Sequence, residues 1–266
     1  MQSEPDRSGI SVEIDAGRIA TVTLDRPEVH NVFNDTIIAG LSRTFAALAA
    51  DDRARIVVLR ASGKSFSAGA DLGWMQRMAD SSTDDNVADA MALAGMLHTL
   101  DTCPKPTVAM VQGPAYGGGV GLVAACDVAV ASRAASFALS EVRLGLIPAV
   151  ISPYLIAAIG ERACRRYFLT AERFSAEEAH RLGLVHEVVA PEQLDAAVAA
   201  VVARLSEGGP HAQAEAKALI RAVARKPLDE TLRRETAERI ARQRAAAEGR
   251  EGVSAFLQKR PPAWRL

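Results

Sequence analysis

The chain has 266 residues, 49% of them hydrophobic, and a net charge of −1, which allows one large domain or two small ones around a sizeable core. The balanced charge and the lack of a basic run argue against a nucleic-acid or membrane-surface binder. Three cysteines, Cys103, Cys126 and Cys164, without CxxC or His/Cys spacing exclude a disulfide framework and a zinc site, and no apolar run reaches the roughly 18 residues that span a bilayer.

The opening MQSEPDRSGI lacks an apolar h-region, so no secretory signal peptide is expected, and the reducing cytoplasm is the expected setting. Ile10, Val12 and Ile14 alternate, and Ile19, Thr21 and Thr23 repeat the period, predicting two strands joined at residues 15–17. Pro27 ends the second strand. Asn34 or Asp35 caps a helix reaching Ala50, with Ile37, Ile38, Leu41, Phe45 and Leu48 on one side. Residues 55–61, RIVVLRA, read as a buried strand. Residues 62–78, SGKSFSAGADLGWMQRM, read as a loop, and 79–86 as a polar, mobile stretch. An amphipathic helix follows over 87–101, then a strand over 105–113.

The segment VQGPAYGGGVGLVAACD comes next, with glycines at 117, 118, 119 and 121. Beyond it lie short strands at 127–132 and 136–141, helices at 151–170 and 175–185, and a strand at 186–191. From Pro191 onward the pattern is almost wholly helical. Strand–helix units followed by a helical C-terminal quarter argue for an α/β fold. The terminal helices, about 207–259, are too amphipathic to stand alone, so their apolar faces are expected to dock on the core or on another subunit.

The glycine run admits three readings: a tight turn, a phosphate cradle or an oxyanion site where backbone N–H groups meet a reacting carbonyl. Gly119 to Ala124 matches G-x-G-x-x-G/A, and Glu141 lies 20 residues beyond Gly121. A dinucleotide fold, however, needs a βαβ unit of about 30 residues, and the short helix before the next strand leaves no room for it. A P-loop fails because no Gly-Lys-Ser/Thr closes this run.

Four stretches in order, LDRPEVHNVFN (24–34), GKSFSAGADL (63–72), the glycine segment and SEVRLGLIP (140–148), together resemble the enoyl-CoA hydratase/isomerase (crotonase) superfamily over nearly the whole chain. The resemblance implies a ClpP-like α/β fold of repeated ββα units. It also implies a core at residues 1–205 and a helical trimerisation region at 206–266. GADLGWM and the segment from Leu139 to Phe174 look most like the methylglutaconyl-CoA hydratases.

The same resemblance implies a thioester enolate held by the backbone N–H groups of Ala70 and Gly118, with Glu141 as acid/base. Partial burial of Glu141 would raise its pKa toward neutrality. Val29, Asn31, Phe66 and Ala68 are expected to line the coenzyme A groove. Asp71, Leu72, Tyr116 and Gly117 complete the substrate set, with Asp71 also suited to bracing its loop. Arg26 and Lys64 suit the phosphates, as do Lys259 and Phe256 from a neighbouring subunit. His30 reads as a surface histidine, and Trp74 and Met75 as pocket wall or core. No metal or separate cofactor is implied, since coenzyme A belongs to the substrate. The implied assembly is a homotrimer or a dimer of trimers, without nucleic acid or membrane.

The chain departs from the two-glutamate hydratases at Gly121, where they carry a second catalytic carboxylate. Three outcomes stand open. Glu141 does both jobs; or Tyr116, Ser140 or the substrate's own carboxylate holds the water; or the enzyme is a 3,2-enoyl-CoA isomerase with a single base. A non-catalytic or RNA-binding scaffold is a further class, disfavoured by a lysine-poor helical segment at 35–55 and by the intact SAGAD, GGG and Glu141. A methylglutaconyl substrate would need a cation for its free carboxylate; Arg77, His98 and Arg143 are the candidates.

Overall fold

The computed structural model describes residues 9–265; the N-terminal stretch read for a signal peptide falls mainly outside them. Its strands are β1 (Ile10–Ile14), β2 (Ile19–Leu24), β3 (Ile56–Ala61), β4 (Thr107–Val111), β5 (Ala115–Tyr116), β6 (Val128–Ser132), β7 (Ser136–Ala138), β8 (Phe174–Ser175) and β9 (Glu187–Val189). Its helices are α1 (Asp35–Ala50), α2 (Leu72–Ala79), α3 (Thr83–Thr102), α4 (Gly118–Ala125), α5 (Ser152–Thr170), α6 (Ala176–Leu182), α7 (Leu194–Glu207), α8 (Pro210–Val223), α9 (Glu230–Ala245) and α10 (Ala247–Leu257).

Six strands form one sheet in the order β1-β2-β3-β4-β6-β9, parallel except for β1. Its central strands are buried on both faces, which is why they read as continuous apolar runs. Val57, Leu59, Ala109, Val111, Ala129 and Ala131 point into the main core beneath α1 and α3. Ile56, Val58, Val108, Met110 and Val130 point the other way, onto Leu194 and Val198 of α7. This period-2 split corrects the expected face of β2. Ala20, Val22 and Leu24 enter the main core, whereas Ile19 packs on the α7 side.

The first helix forms as its sequence dictates. Asn34 Oδ1 accepts from Ile37 N at 3.0 Å, and the five apolar residues of the stripe are buried. Each such side chain contributes about 1.5–3 kcal/mol by leaving water. Two expectations are corrected here. Residues 72–79 are helix, started by the Asp71 carboxylate accepting from Trp74 N at 2.9 Å. The second half of the polar stretch, 83–86, is the start of α3, because Ser82 accepts from Asp85 N at 3.1 Å and so starts the helix at Thr83, four residues before its expected start.

A second, three-stranded sheet has the order β5-β7-β8. Single bridges join Ser67 to Ala115 and Phe33 to Ala70 alongside it. β7 stops at Ala138, and Glu141 opens a short 3-10 turn, Glu141–Leu144, rather than ending the strand.

The C-terminal region is tied to the core by polar contacts, most of them partly buried. Lys217 Nζ lies 2.5 Å from Asp127 Oδ2 and donates to Lys105 O at 3.0 Å, and Arg55 donates to Trp264 O at 2.8 Å. α7 runs through the expected boundary at residue 205. Cys103, Cys126 and Cys164 are free and buried, and burial pushes all three thiols up, as suits small core hydrophobes. Among the described residues, no helix is long and apolar enough to cross a membrane.

Candidate active site

Strand register gathers the site. Ser67 stands opposite Ala115 in a parallel bridge, and Ala70 and Gly118 each follow three residues later. Tyr116 stands opposite Ala138 in the parallel β5–β7 pair, and Glu141 follows three residues beyond Ala138. Steps of two or three residues from registered pairs bring the loops out at one end of the small sheet, the carboxyl end where α/β proteins bind ligands. Gly117 marks the meeting point. A Cβ on it would lie 3.2 Å from Glu141 Oε1 and 3.9 Å from Gly69 Cα.

Two backbone N–H groups are left for a ligand. Phe33 N donates to Gly69 O at 2.7 Å, and Asp71 N donates to Phe33 O at 2.8 Å. In that parallel bridge the N–H of Ala70 points away from Phe33. Gly118 is the first residue of α4, so its N–H has no partner inside the helix. Neither N–H has an acceptor within the chain among the described residues. The glycines make this close approach feasible. Gly117 turns with φ 49°, and a Cβ on Gly118 would press on the Phe33 ring at 3.1 Å. The helix start adds partial positive charge, which favours an oxyanion.

Glu141 is half-buried, and its Oε2 is buried without a hydrogen-bond partner. Desolvation raises its pKa above the ordinary glutamate value, opposed only by a bond to its own backbone N–H. The turn that presents it is closed by Gly145 at φ 72°, and Leu146 N donates to Glu141 O at 3.0 Å. A buried carboxylate with a free oxygen, beside two unengaged N–H groups, can exchange a proton with a molecule whose developing oxyanion those groups hold.

Residues 14–266 match the enoyl-CoA hydratase/isomerase family. The chain belongs to that family. A crystal structure of an enoyl-CoA hydratase from Shewanella pealeana is 43% identical, superposes with a TM-score of 0.94 and is covered over 96% of each chain. An enoyl-CoA hydratase structure from Mycobacterium smegmatis is 35% identical with a TM-score of 0.92, over 99% of this chain and 100% of that one. An enoyl-CoA hydratase of Alternaria alternata, ACTT6, is 35% identical over 222 residues, 82% of this chain and 72% of its own. The crotonase fold is thus shown.

The remaining candidates from the sequence differ in exposure and in what they touch. Val29, Ala68, Tyr116 and Gly117 are partly exposed around the loops. The Ala68 N–H donates to His30 O at 2.9 Å, and Tyr116 Oη lies 3.3 Å from Ser136 Oγ with Arg173 over its ring. Exposed His30 has Nδ1 3.0 Å from Ser65 Oγ. Asn31 and Phe66 are corrected as side-chain liners. Phe66 is wholly buried in the core. The Asn31 amide is also buried; it accepts from Arg26 N at 2.8 Å and donates to Ser62 O and Ser65 O at 2.9 Å each. It braces the loop instead.

Asp71 is engaged as the cap of α2, while Leu72 beside it is 82% exposed. Trp74 is buried and donates to Asp89 Oδ1 at 3.0 Å; Met75 is half-buried. Phe256 and Lys259 lie exposed at the far end of α10, outside this cluster. Of the three cations, Arg77 pairs with Asp35 at 3.4 Å, His98 is exposed on α3, and Arg143 is exposed on the Glu141 turn.

Sequence reasoning missed the bracing roles of Phe33 and Ser67, whose signal is a single apolar or small residue inside a polar loop. It also missed Ile151, which has no motif around it.

Proposed function

We propose that the protein adds water across the 2,3 double bond of an enoyl-CoA thioester. The observation that carries this reading is the buried, unpartnered oxygen of Glu141 beside the unengaged N–H groups of Ala70 and Gly118. Relatives named enoyl-CoA hydratase support it.

The steps follow from charge. The Glu141 carboxylate takes a proton from water as the water oxygen attacks C3. The electron pair moves through C2 and C1 onto the thioester oxygen, where two N–H donors meet it. Each such donor stabilises the transition state by about 3–4 kcal/mol. The protonated Glu141 then delivers its proton to C2, the thioester carbonyl reforms, and the carboxylate is regenerated. No metal or further cofactor enters.

The substrate in this reading is 3-methylglutaconyl-CoA. Its free carboxylate calls for a charge-assisted partner. Arg143 suits that role because it shares the Glu141 turn, whereas Arg77 is drawn toward Asp35. Neutralising Arg143 is expected to raise KM for this substrate while leaving crotonyl-CoA unaffected.

The reading includes a cytoplasmic homotrimer or dimer of trimers. Phe256, 82% exposed, and Lys259 would then reach a neighbour's coenzyme A.

One observation favours a second reading. Gly121 offers no second carboxylate to hold water, and a single base moving a proton from C2 to C4 makes a 3,2-enoyl-CoA isomerase. Parallel incubation with crotonyl-CoA, 3-methylglutaconyl-CoA and a 3-enoyl-CoA separates the two. Hydration removes the conjugated-enoyl absorbance of the first two. A conjugated band that only grows, from the 3-enoyl thioester, would establish the isomerase instead.

A further inference from the structure

We propose that Ile151 is a positioning residue for Glu141: it fills the space beside Gly121 with hydrocarbon and holds the Glu141 carboxyl in a dry site with one carboxylate. This rests on Glu141 being the acid/base of the reaction.

The geometry comes from the start of α4, whose N-cap is Gly117. Gly121 N donates to Gly117 O at 3.2 Å, so the backbones of the two glycines adjoin across the first turn, Gly117 itself lying outside the helix with φ 49° and ψ −118°. At Gly117, the neighbour facing a side chain would be Glu141 Oε1, at 3.2 Å. At Gly121 it would be Ile151, whose Cγ2 overlaps the Cβ position, with its own Cβ at 3.2 Å and Leu97 Cδ1 at 3.6 Å. The Glu141 carboxyl and Ile151 therefore border two adjoining glycines at the start of α4. Ile151 is 3% exposed and Leu97 is fully buried. Ile151 is also held in place, because its carbonyl opens α5 by accepting from Leu155 N at 3.2 Å.

The nearest neighbours of a side chain at Gly121 are hydrocarbon, from Ile151 and Leu97. The titratable groups on the surrounding elements are engaged elsewhere or turned out. Tyr116 meets Ser136, Asp71 caps α2, and Arg143 is exposed on the turn. Burial, and then the Asp101 charge on α3, push the Tyr154 phenol of α5 up. None of them hydrogen-bonds Glu141, whose Oε2 stays unpartnered. Hydrocarbon packing beside an ionisable carboxyl disfavours its charged form, so Ile151 sets the pH range over which Glu141 is a base.

The test is the pH dependence of kcat/KM for crotonyl-CoA in the wild type, Ile151→Thr, Ile151→Ala, Ile151→Val and Glu141→Gln. A hydroxyl or admitted water beside the carboxyl stabilises its charge. The acid limb should therefore move to lower pH by about half a unit or more in the Thr and Ala variants. Ile151→Val keeps a branched apolar side chain and should return the limb to its wild-type position. kcat should fall several-fold in Thr and Ala, with KM nearly constant. If Thr or Ala fails to fold by circular dichroism, the folded one of the pair decides against Val. A limb unmoved in every folded variant overturns the proposal while Glu141→Gln remains inactive. Wild-type activity in Glu141→Gln instead overturns the reading beneath it.

Discussion

Glu141 Oε1 stands 3.2 Å from the point where a Cβ on Gly117 would lie, so the turn and the acid share one small space. Gly117 also sits at φ 49°, a conformation that L side chains adopt with strain. Gly117→Ala should push the carboxyl aside and lower kcat by about 10–100-fold, since a misplacement near 1 Å can have an effect of that size. Steady-state kinetics on protein with a wild-type circular dichroism spectrum checks this; unchanged kcat would mean the two residues do not compete for space.

Gly121 and Ile151 should behave as a coupled pair. Gly121→Ala overpacks the face against Ile151 Cγ2 and should destabilise by about 1–3 kcal/mol. Ile151→Ala leaves a cavity costing about 2–5 kcal/mol. The double variant should be at least about 1 kcal/mol more stable than the sum of the two, because neighbours in contact are not additive. Urea denaturation at one fixed protein concentration measures it, and strict additivity would deny the contact.

Burial of Glu141 gives stability a pH signature. Its pKa is raised in the folded state by desolvation. The folded protein therefore binds more protons than the unfolded chain between the two pKa values, and stability falls as pH rises through that window. The favourable contribution is full below the ordinary glutamate pKa and lost above the raised one. Glu141→Gln removes the cost of a buried charge, so its thermal midpoint should exceed the wild type's at pH 7 by more than at pH 4. An equal difference at both values would contradict the burial argument.

Asn31 is the brace between the first loop and the Ser62–Ser65 loop. It carries three hydrogen bonds and a left-handed backbone with φ 54°. Asn31→Ala leaves buried backbone groups unpaired and should cost about 2–4 kcal/mol. Because the Ala68 N–H hangs on His30 O, kcat should fall as well. Thermal melts and kinetics of this variant test both parts; loss of KM alone would return Asn31 to the ligand groove.

Elements with a long apolar period were legible in the sequence. The cap at Asn34 and the stripe of α1 follow directly from residue chemistry, as do β3, β4 and the C-terminal helices. α2 was hidden because Gly73 and its brevity blur the period, although Asp71 was a readable cap. The small sheet was hidden for another reason. Its bridges at Ser67–Ala115 and Phe33–Ala70 are single residues, too short for any pattern. The convergence of Ala70, Gly118 and Glu141 was therefore legible only through family resemblance, and parallel register now supplies its cause. Asn31 misled because a polar side chain in a loop looks the same in sequence whether it meets a ligand or two carbonyls.

The most direct measurement is the rate at which crotonyl-CoA loses its conjugated-enoyl absorbance with wild-type protein and with Glu141→Gln, both shown to be folded. The account predicts steady hydration by the wild type and a fall of about 10³-fold or more in the variant, the scale of a lost general acid/base. A variant that hydrates at the wild-type rate would contradict it, and the proton would have to be handled by a group other than Glu141.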